Sequence, residues 1–346
     1  MTTAAAARRR HGLTAGKLAL GALLVALAAS ACGAGAASVV EGSSPKPQAM
    51  IAGQGACKTP EVPAGLSTQH LMSGGLRRTV VVYYPHGRMP GKPIPMVLDL
   101  HGSGSTPLQQ ISGSNIAATA DKHGFAVVAP QAGIPFIAGK SHGFAWNVPG
   151  VPLMNGRPVP SDAPNDVQFI RDTIAGMSKS LCADQKRIYV TGFSGGARMA
   201  SQIGCELSDQ VAAIAPMSGL RLPGNCKLGR PESVLSFHGT SDGTNPYNGS
   251  KQLYWSYGVP AAAQRWATAD HCGKGVTQQV VNGVISTTYS GCQGGRQVVL
   301  YTVTGQRHSW PGVTGAMAKG YALPKIDPNE IMWSFFDAHP LDTATA

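Results

Sequence analysis

Gly192-Phe193-Ser194-Gly195-Gly196 constrains this chain more than any other stretch. It follows the apolar, β-branched run 187–191 and precedes Ala197-Arg198-Met199-Ala200, a helix-forming segment. A strand that becomes a helix within so few residues brings backbone against backbone, and near-absent side chains at 192 and 196 are what such a turn demands. The turn lifts the Ser194 hydroxyl above a sheet and aims the N–H of Gly195 at the same point. Alone, the pentapeptide also reads as a glycine-rich connection with an incidental serine, since the chain carries 44 glycines. Residues elsewhere decide between the two.

The surrounding pattern is one of short apolar runs alternating with helical periods. Strands are predicted over 78–84, stopped by Pro85, over 95–100, running into His101-Gly102-Ser103-Gly104, and over 125–129, stopped by Pro130. A helix over 115–123 closes on Gly124. Asn165, with Gln168 three residues on, predicts the start of another, and Val167, Ile170, Ile174, Met177 and Leu181 form one apolar stripe along it. Later come strands over 211–215, 234–237 and 298–303, a helix over 261–269, a hairpin between Cys272 and Cys292, and a terminal helix over 328–338. This alternation predicts an α/β fold, a mostly parallel sheet with helices on both faces. Its ligand site lies beyond the carboxyl ends of the strands. The segment 131–165 is punctuated by Pro135, Pro149, Pro152, Pro158, Pro160 and Pro164 and has no sustained period. It is predicted to run without regular structure over the same edge as Ser194.

Residues 1–32 read as a lipoprotein signal peptide. Arg8, Arg9, Arg10 and Lys17 lead into the apolar run 18–29, too short for a comfortable membrane span, and Ala29-Ser30-Ala31-Cys32 resembles a lipobox with Cys32 as the lipidated residue. Ordinary signal-peptidase cleavage is the alternative. Residues 33–56, rich in Ala, Gly, Ser and Pro, are predicted to be a flexible tether, and 57–346 the folded domain. Export follows, either anchored to the cell membrane by lipid or extracellular. The formal charge of +11 falls to about +7 without the four basic residues of the leader. No dense Lys/Arg run remains, so nucleic-acid binding is not expected.

Of seven cysteines, setting Cys32 aside leaves six, an even number that suits disulfides in an exported chain. Cys272–Cys292 and Cys205–Cys226 are the local pairings, which leaves Cys57–Cys182 by elimination. No C-x-x-C and no His/Cys cluster has ligand spacing, so neither a metal nor a cofactor is expected.

A serine hydroxyl becomes a nucleophile only beside a base, itself oriented by a third group. His308 follows the last predicted strand in Gln306-Arg307-His308-Ser309-Trp310-Pro311-Gly312. His339 lies past the terminal helix, where solvent is expected, His271 adjoins Cys272, and His238 reads as shaping its own turn. Asp242 follows the strand over 234–237 and precedes His308 in the chain, as an orienting acid should. It also reads as an Asx-turn residue in a Gly/Ser/Thr loop. An oxyanion formed on attack needs two donors. The N–H of Gly195 is one, and that of Ser103, in the loop after an early strand, the other.

Leu100-His101-Gly102, the Ser194 pentapeptide, Phe237-His238-Gly239-Thr240-Ser241-Asp242 with Pro246-Tyr247, and His308-Ser309-Trp310-Pro311-Gly312 resemble the polyhydroxybutyrate-depolymerase-like esterases, which include feruloyl and acetylxylan esterases. The resemblance spans about residues 60–338. It implies an α/β-hydrolase catalytic domain with Ser194 as nucleophile, His308 as base and then acid, Asp242 orienting His308, and Gly195 and Ser103 as oxyanion donors. Relatives often carry Asn or Ala where this chain has Gly195, and Cys where it has Ser103. Both donors are main-chain groups, so the roles survive the exchange. Trp146 and Trp310 are candidates for an aromatic wall against the acyl group, or for core positions. The partners implied are an ester substrate, small or polymeric, and a membrane through the lipid anchor. Oligomeric state stays open, as does the choice between hydrolysis and acyl transfer to an envelope hydroxyl. A non-catalytic envelope binding protein on the same scaffold is the rival from another class.

Overall fold

The computed structural model describes residues 62–87, 91–224, 226–312 and 326–341. The predicted signal peptide, Cys32, the tether and Cys57 lie outside the described residues.

Nearly continuous β-branched and aliphatic runs, buried on both sides, form the centre of a ten-stranded sheet. Six neighbouring strands run parallel: β4 (Ala126–Pro130), β3 (Ile94–Leu100), β7 (Ala183–Phe193), β8 (Ala213–Met217), β9 (Ser233–Gly239) and β12 (Val298–Val303). Antiparallel pairs flank them, β1 (Gly65–Ser73) with β2 (Leu76–Tyr84) on one edge and β10 (Val276–Val281) with β11 (Val284–Tyr289) on the other. The period of two divides each strand between two cores. Met96 and Leu98 pack with α3 (Asp166–Leu181), α4 (Gly195–Glu206) and α5 (Val259–Ala269), while Val97 packs with α1 (Pro107–Ser114), α2 (Ile116–His123) and α6 (Pro328–Ala338).

Local chemistry sets the helix ends. The Asn165 side chain accepts from the N–H of Gln168, and the whole predicted stripe from Val167 to Leu181 is buried. Gly124 closes α2 at φ 73°, a conformation that costs glycine least. Cys205–Cys226 ties the last turn of α4 to the loop after β8, and Cys272–Cys292 closes the base of the β10–β11 hairpin. Cys182 is disulfide-bonded as well.

Three expectations change. The segment 131–165 is not without regular structure: β5 (Ile134–Ala138) and β6 (Ser141–Ala145) form an antiparallel hairpin there, hidden from a reading of proline density because its strands are so short. α1 was not expected, since Ser112, Gly113 and Ser114 dilute its apolar period, although Thr106-Pro107 is a regular start signal whose hydroxyl accepts from the N–H of Gln109. His339 is half-buried rather than solvated, its Nδ1 2.7 Å from the Phe335 carbonyl and its ring against that of Phe335.

Candidate active site

The turn between β7 and α4 carries Ser194 at φ 55° and ψ −109°, a strained conformation for a residue with a side chain. Two neighbours leave no room for anything but hydrogen. A Cβ at Gly196 would lie 2.0 Å from the Leu100 carbonyl oxygen, and one at Gly192 would lie 2.7 Å from that oxygen and from the Gly196 carbonyl carbon. The Ser194 N–H is held by the Met217 carbonyl of β8 at 3.0 Å. Gly195 then opens α4, where main-chain N–H groups have no helical partner.

Two loops from later strands reach the same edge. His308 Nε2 stands 2.9 Å from Ser194 Oγ, and His308 Nδ1 2.7 Å from Asp242 Oδ2. A carboxylate only accepts, so Nδ1 carries the proton and the Nε2 lone pair faces the serine hydroxyl. Asp242 Oδ1 accepts from the N–H groups of Thr244 and Asn245 at 2.9 and 2.7 Å. Burial alone would raise the Asp242 carboxyl. Hydrogen bonds from His238 and His308 overcome it and hold the group well below the usual carboxylate range.

His238 does more than shape its turn. Its Nε2 lies 2.8 Å from the Asn245 carbonyl and 3.3 Å from Asp242 Oδ2, two acceptors that place the proton on that nitrogen. The ring is fully buried and stacked on Trp255. Asn245 extends the support: its Nδ2 donates to the Ser218 carbonyl at 2.6 Å and its Oδ1 accepts from buried Arg198 at 3.2 Å. Spacing alone did not signal either contact.

The loop after β3 meets Gly195 from the other side. Ser103 N would stand 3.1 Å from a Cβ built on Gly195, and Ser103 Oγ still nearer. The loop is pinned by the β5–β6 hairpin, where Gly104 N–H donates to the Phe144 carbonyl at 2.9 Å and Phe144 N–H to that of Ser105 at 3.0 Å. His101 is buried beneath it: Nδ1–H donates to the Gly102 carbonyl at 2.9 Å and Nε2 accepts from the Ala132 N–H at 3.1 Å. Burial pushes its pKa down to about 4, so it stays neutral at physiological pH.

A cavity of about 380 Å³ opens onto Ser194 and His308. Its wall is more apolar than polar: Phe193, Met154 and Trp310 are the larger apolar groups, and Ser103, Gln109, Gln110, Ser114 and Thr244 supply the polar ones. Trp310 thus borders the cavity, though it is 1 % exposed and its Nε1 donates to Asn329 Oδ1 at 3.1 Å. Trp146 does not border it. Its Nε1 donates to the His101 carbonyl at 2.8 Å and its ring packs on that of His101, which braces the loop, and it lines a smaller recess together with Ser103 and Gly195. Among the described residues no cluster of His, Cys, Asp or Glu has the makings of a metal site.

Asp99, on β3, is fully buried, and that burial lifts its carboxyl to about 7 against hydrogen bonds from Gln110 and Ser114 that lower it. A carboxyl raised on folding stabilises the protein below its unfolded value of about 4 and loses that contribution as pH rises through about 7. Asp99→Asn is therefore expected to gain stability relative to wild type between pH 4 and 8, by on the order of a few kcal/mol. Urea unfolding at both pH values measures the gap, and an unchanged gap would refute the assignment.

The strand order, the turn at Ser194 and the helices on both faces define the α/β-hydrolase fold. The acetyl xylan esterase from Aspergillus awamori shares it with a TM-score of 0.53 at 15% identity, over 78% of this chain and 99% of that one. No family model matches the chain. Feruloyl esterase B of Piromyces equi is 35% identical over 245 residues, 67% of this chain and 42% of that protein. The bifunctional acetylxylan esterase/xylanase XynS20E of Neocallimastix patriciarum is 32% identical over 168 residues, 49% and 22% of the two chains. The putative esterase NocK of Nocardia uniformis subsp. tsuyamanensis is 27% identical over 252 residues, 66% and 67%. The chain thus spans less than half the length of the first two relatives. It belongs to the feruloyl-esterase-like family.

Proposed function

We propose that this protein is an exported serine esterase that hydrolyses carboxylic esters of the feruloyl, acetyl or hydroxyalkanoate type. The observation that carries the reading is the hydrogen-bonded chain from Ser194 Oγ through His308 to Asp242, at 2.9 and 2.7 Å, on the wall of the cavity. Ser194 Oγ attacks the ester carbonyl while His308 Nε2 takes its proton. The N–H groups of Gly195 and Ser103 receive the oxyanion, each such donor being worth about 3 kcal/mol of barrier. Collapse expels the alcohol, which leaves with the proton from His308. A water then attacks the acyl-enzyme with His308 again as base, and Ser194 is restored. The names of the relatives support the ester class. Disulfides at Cys205–Cys226 and Cys272–Cys292 support an oxidising compartment. A lipid anchor at Cys32 belongs to the same proposal.

A fluorophosphonate probe is expected to label Ser194, identified by peptide mass spectrometry, and saturation with an ester substrate should protect it. With water as the main acceptor, added methanol shifts little of the product to methyl ester. Absence of labelling on folded protein would remove the reading, and dominant transfer to methanol would make the protein an acyltransferase.

A further inference from the structure

Arg198 stands one turn into α4, where its main-chain N–H donates to the Ser194 carbonyl at 3.1 Å, and it is 4% exposed. Among the described residues no carboxylate pairs with it. Its Nη1 donates to Asn245 Oδ1 at 3.2 Å, and its guanidinium carbon lies 5.5 Å from the centre of the Tyr254 ring. Arg198 also borders the small recess that Ser103 and Gly195 share. A buried cation with no anion beside it is destabilising, and few groups around this one can offset it. Arg221, on the loop after β8, is a second cation and partly exposed. Tyr257, on the same loop as Tyr254, is pushed up by burial and carries no charge. The stretch 146–154, which closes the recess, holds no charged residue. The carboxylate whose charge reaches Arg198 is that of Asp242.

Asn245 joins the two. Its N–H donates to Asp242 Oδ1 at 2.7 Å, its carbonyl stands 2.8 Å from His238 Nε2, and its Nδ2 donates to the Ser218 carbonyl at 2.6 Å. With Oδ1 held by Arg198, each polar atom of Asn245 is engaged. We infer that Arg198 is a positioning residue for the reaction and the counter-charge of its centre: through Asn245 it fixes the Asp242 loop, and its charge offsets the one that Asp242 carries. At rest Ser194 and His308 are neutral, Asp242 is anionic and Arg198 cationic, so the centre sums to zero. On attack Ser194 Oγ bonds to the ester carbonyl carbon, its proton passes to His308 Nε2, and the carbonyl π pair moves onto oxygen. One positive and one negative charge appear together, and the sum stays zero. The oxyanion forms beside Gly195 and Ser103, on the side that Arg198 borders, so the cation favours it. The same cation opposes protonation of His308 in the resting enzyme. The inference rests on the serine-esterase reading and adds a residue to its machinery.

Three variants separate the charge from the hydrogen bond. Arg198→Lys keeps the charge, Arg198→Gln keeps a donor for Asn245 and loses the charge, and Arg198→Met loses both. On short p-nitrophenyl esters Gln and Met are expected to lower kcat by about tenfold, with KM within about twofold of wild type. They should also move the acid limb of kcat/KM up by about half a pH unit, because His308 keeps its proton longer once the cation is gone. Lys should stay within about threefold of wild type in kcat, with the limb in place. The pH profile of fluorophosphonate labelling at Ser194, measured alongside, should show the same shift. A Gln variant with wild-type kcat and an unmoved limb overturns the inference, and so does a Lys variant that falls as far as Gln. A loss in all three with the limb unmoved marks a merely structural role and overturns it as well. Melting midpoints identify any variant that does not fold, and the Lys and Gln pair decides where Met does not. If wild type takes the probe but cleaves no ester, the esterase reading falls and the labelling profiles still decide this one.

Discussion

Ser194→Ala is expected to lower kcat on short p-nitrophenyl esters by roughly five to six orders of magnitude, with KM nearly unchanged. The hydroxyl is the atom that forms the acyl bond in the proposed mechanism, and no neighbour can replace it: His308 Nε2 at 2.9 Å would face a methyl group. What remains is roughly the thousandfold that oxyanion donors and binding supply without a nucleophile. The fold should be indifferent to the change. The Ser194 N–H and carbonyl, which hold the turn through Met217 and Arg198, are both retained. A variant within tenfold of wild type, with an unaltered melting midpoint, would dismiss Ser194 as the nucleophile.

Asp242→Asn is expected to cost roughly ten-thousandfold in kcat, although it changes shape hardly at all. The environment of the carboxyl is the reason. Oδ1 accepts two main-chain N–H groups, so the oxygen of an introduced amide must stay there. The NH2 group is then forced to the position of Oδ2, facing His308 Nδ1 at 2.7 Å and His238 Nε2 at 3.3 Å. A donor there drives the His308 proton onto Nε2, the nitrogen that must be empty to receive the proton of Ser194. Steady-state rates and fluorophosphonate labelling should fall together, because both need the activated hydroxyl. A loss of less than tenfold would mean that some other group sets the tautomer of His308.

Ser194, Asp242 and His308 could be found in the sequence because each follows a β-branched run, so each lies at a carboxyl end of the parallel sheet. Chain order supplied their sequence of roles, and strand pairing brings them within hydrogen-bond distance. The same logic located Ser103, one loop after β3. What stayed hidden depends on side chains that meet across elements without a periodic signal. β1 is largely exposed, so it has no apolar run to betray it. The β5–β6 hairpin is too short to stand out among prolines, yet it fixes the Ser103 loop. Trp146 looked equally suited to wall and core, and the bond from its indole N–H to the His101 carbonyl had no signal in the sequence. Asp99 is one polar residue in an apolar strand, and its partners lie on α1, itself diluted by Gly113. His238 was visible, but its bond to Asp242 arises from a turn that folds the chain back over four residues.

Leu100 and Gly196 touch through main chain alone. The strand that leads into the Ser103 loop and the helix that opens at Gly195 therefore have no side chain between them to be repacked. Substitutions elsewhere can reshape α1, the hairpin or the loop around Thr244 without changing the distance between these two pieces of backbone. A mutant library confined to the cavity wall of α1 should accordingly diversify which esters are bound while sparing the rate of the acyl step.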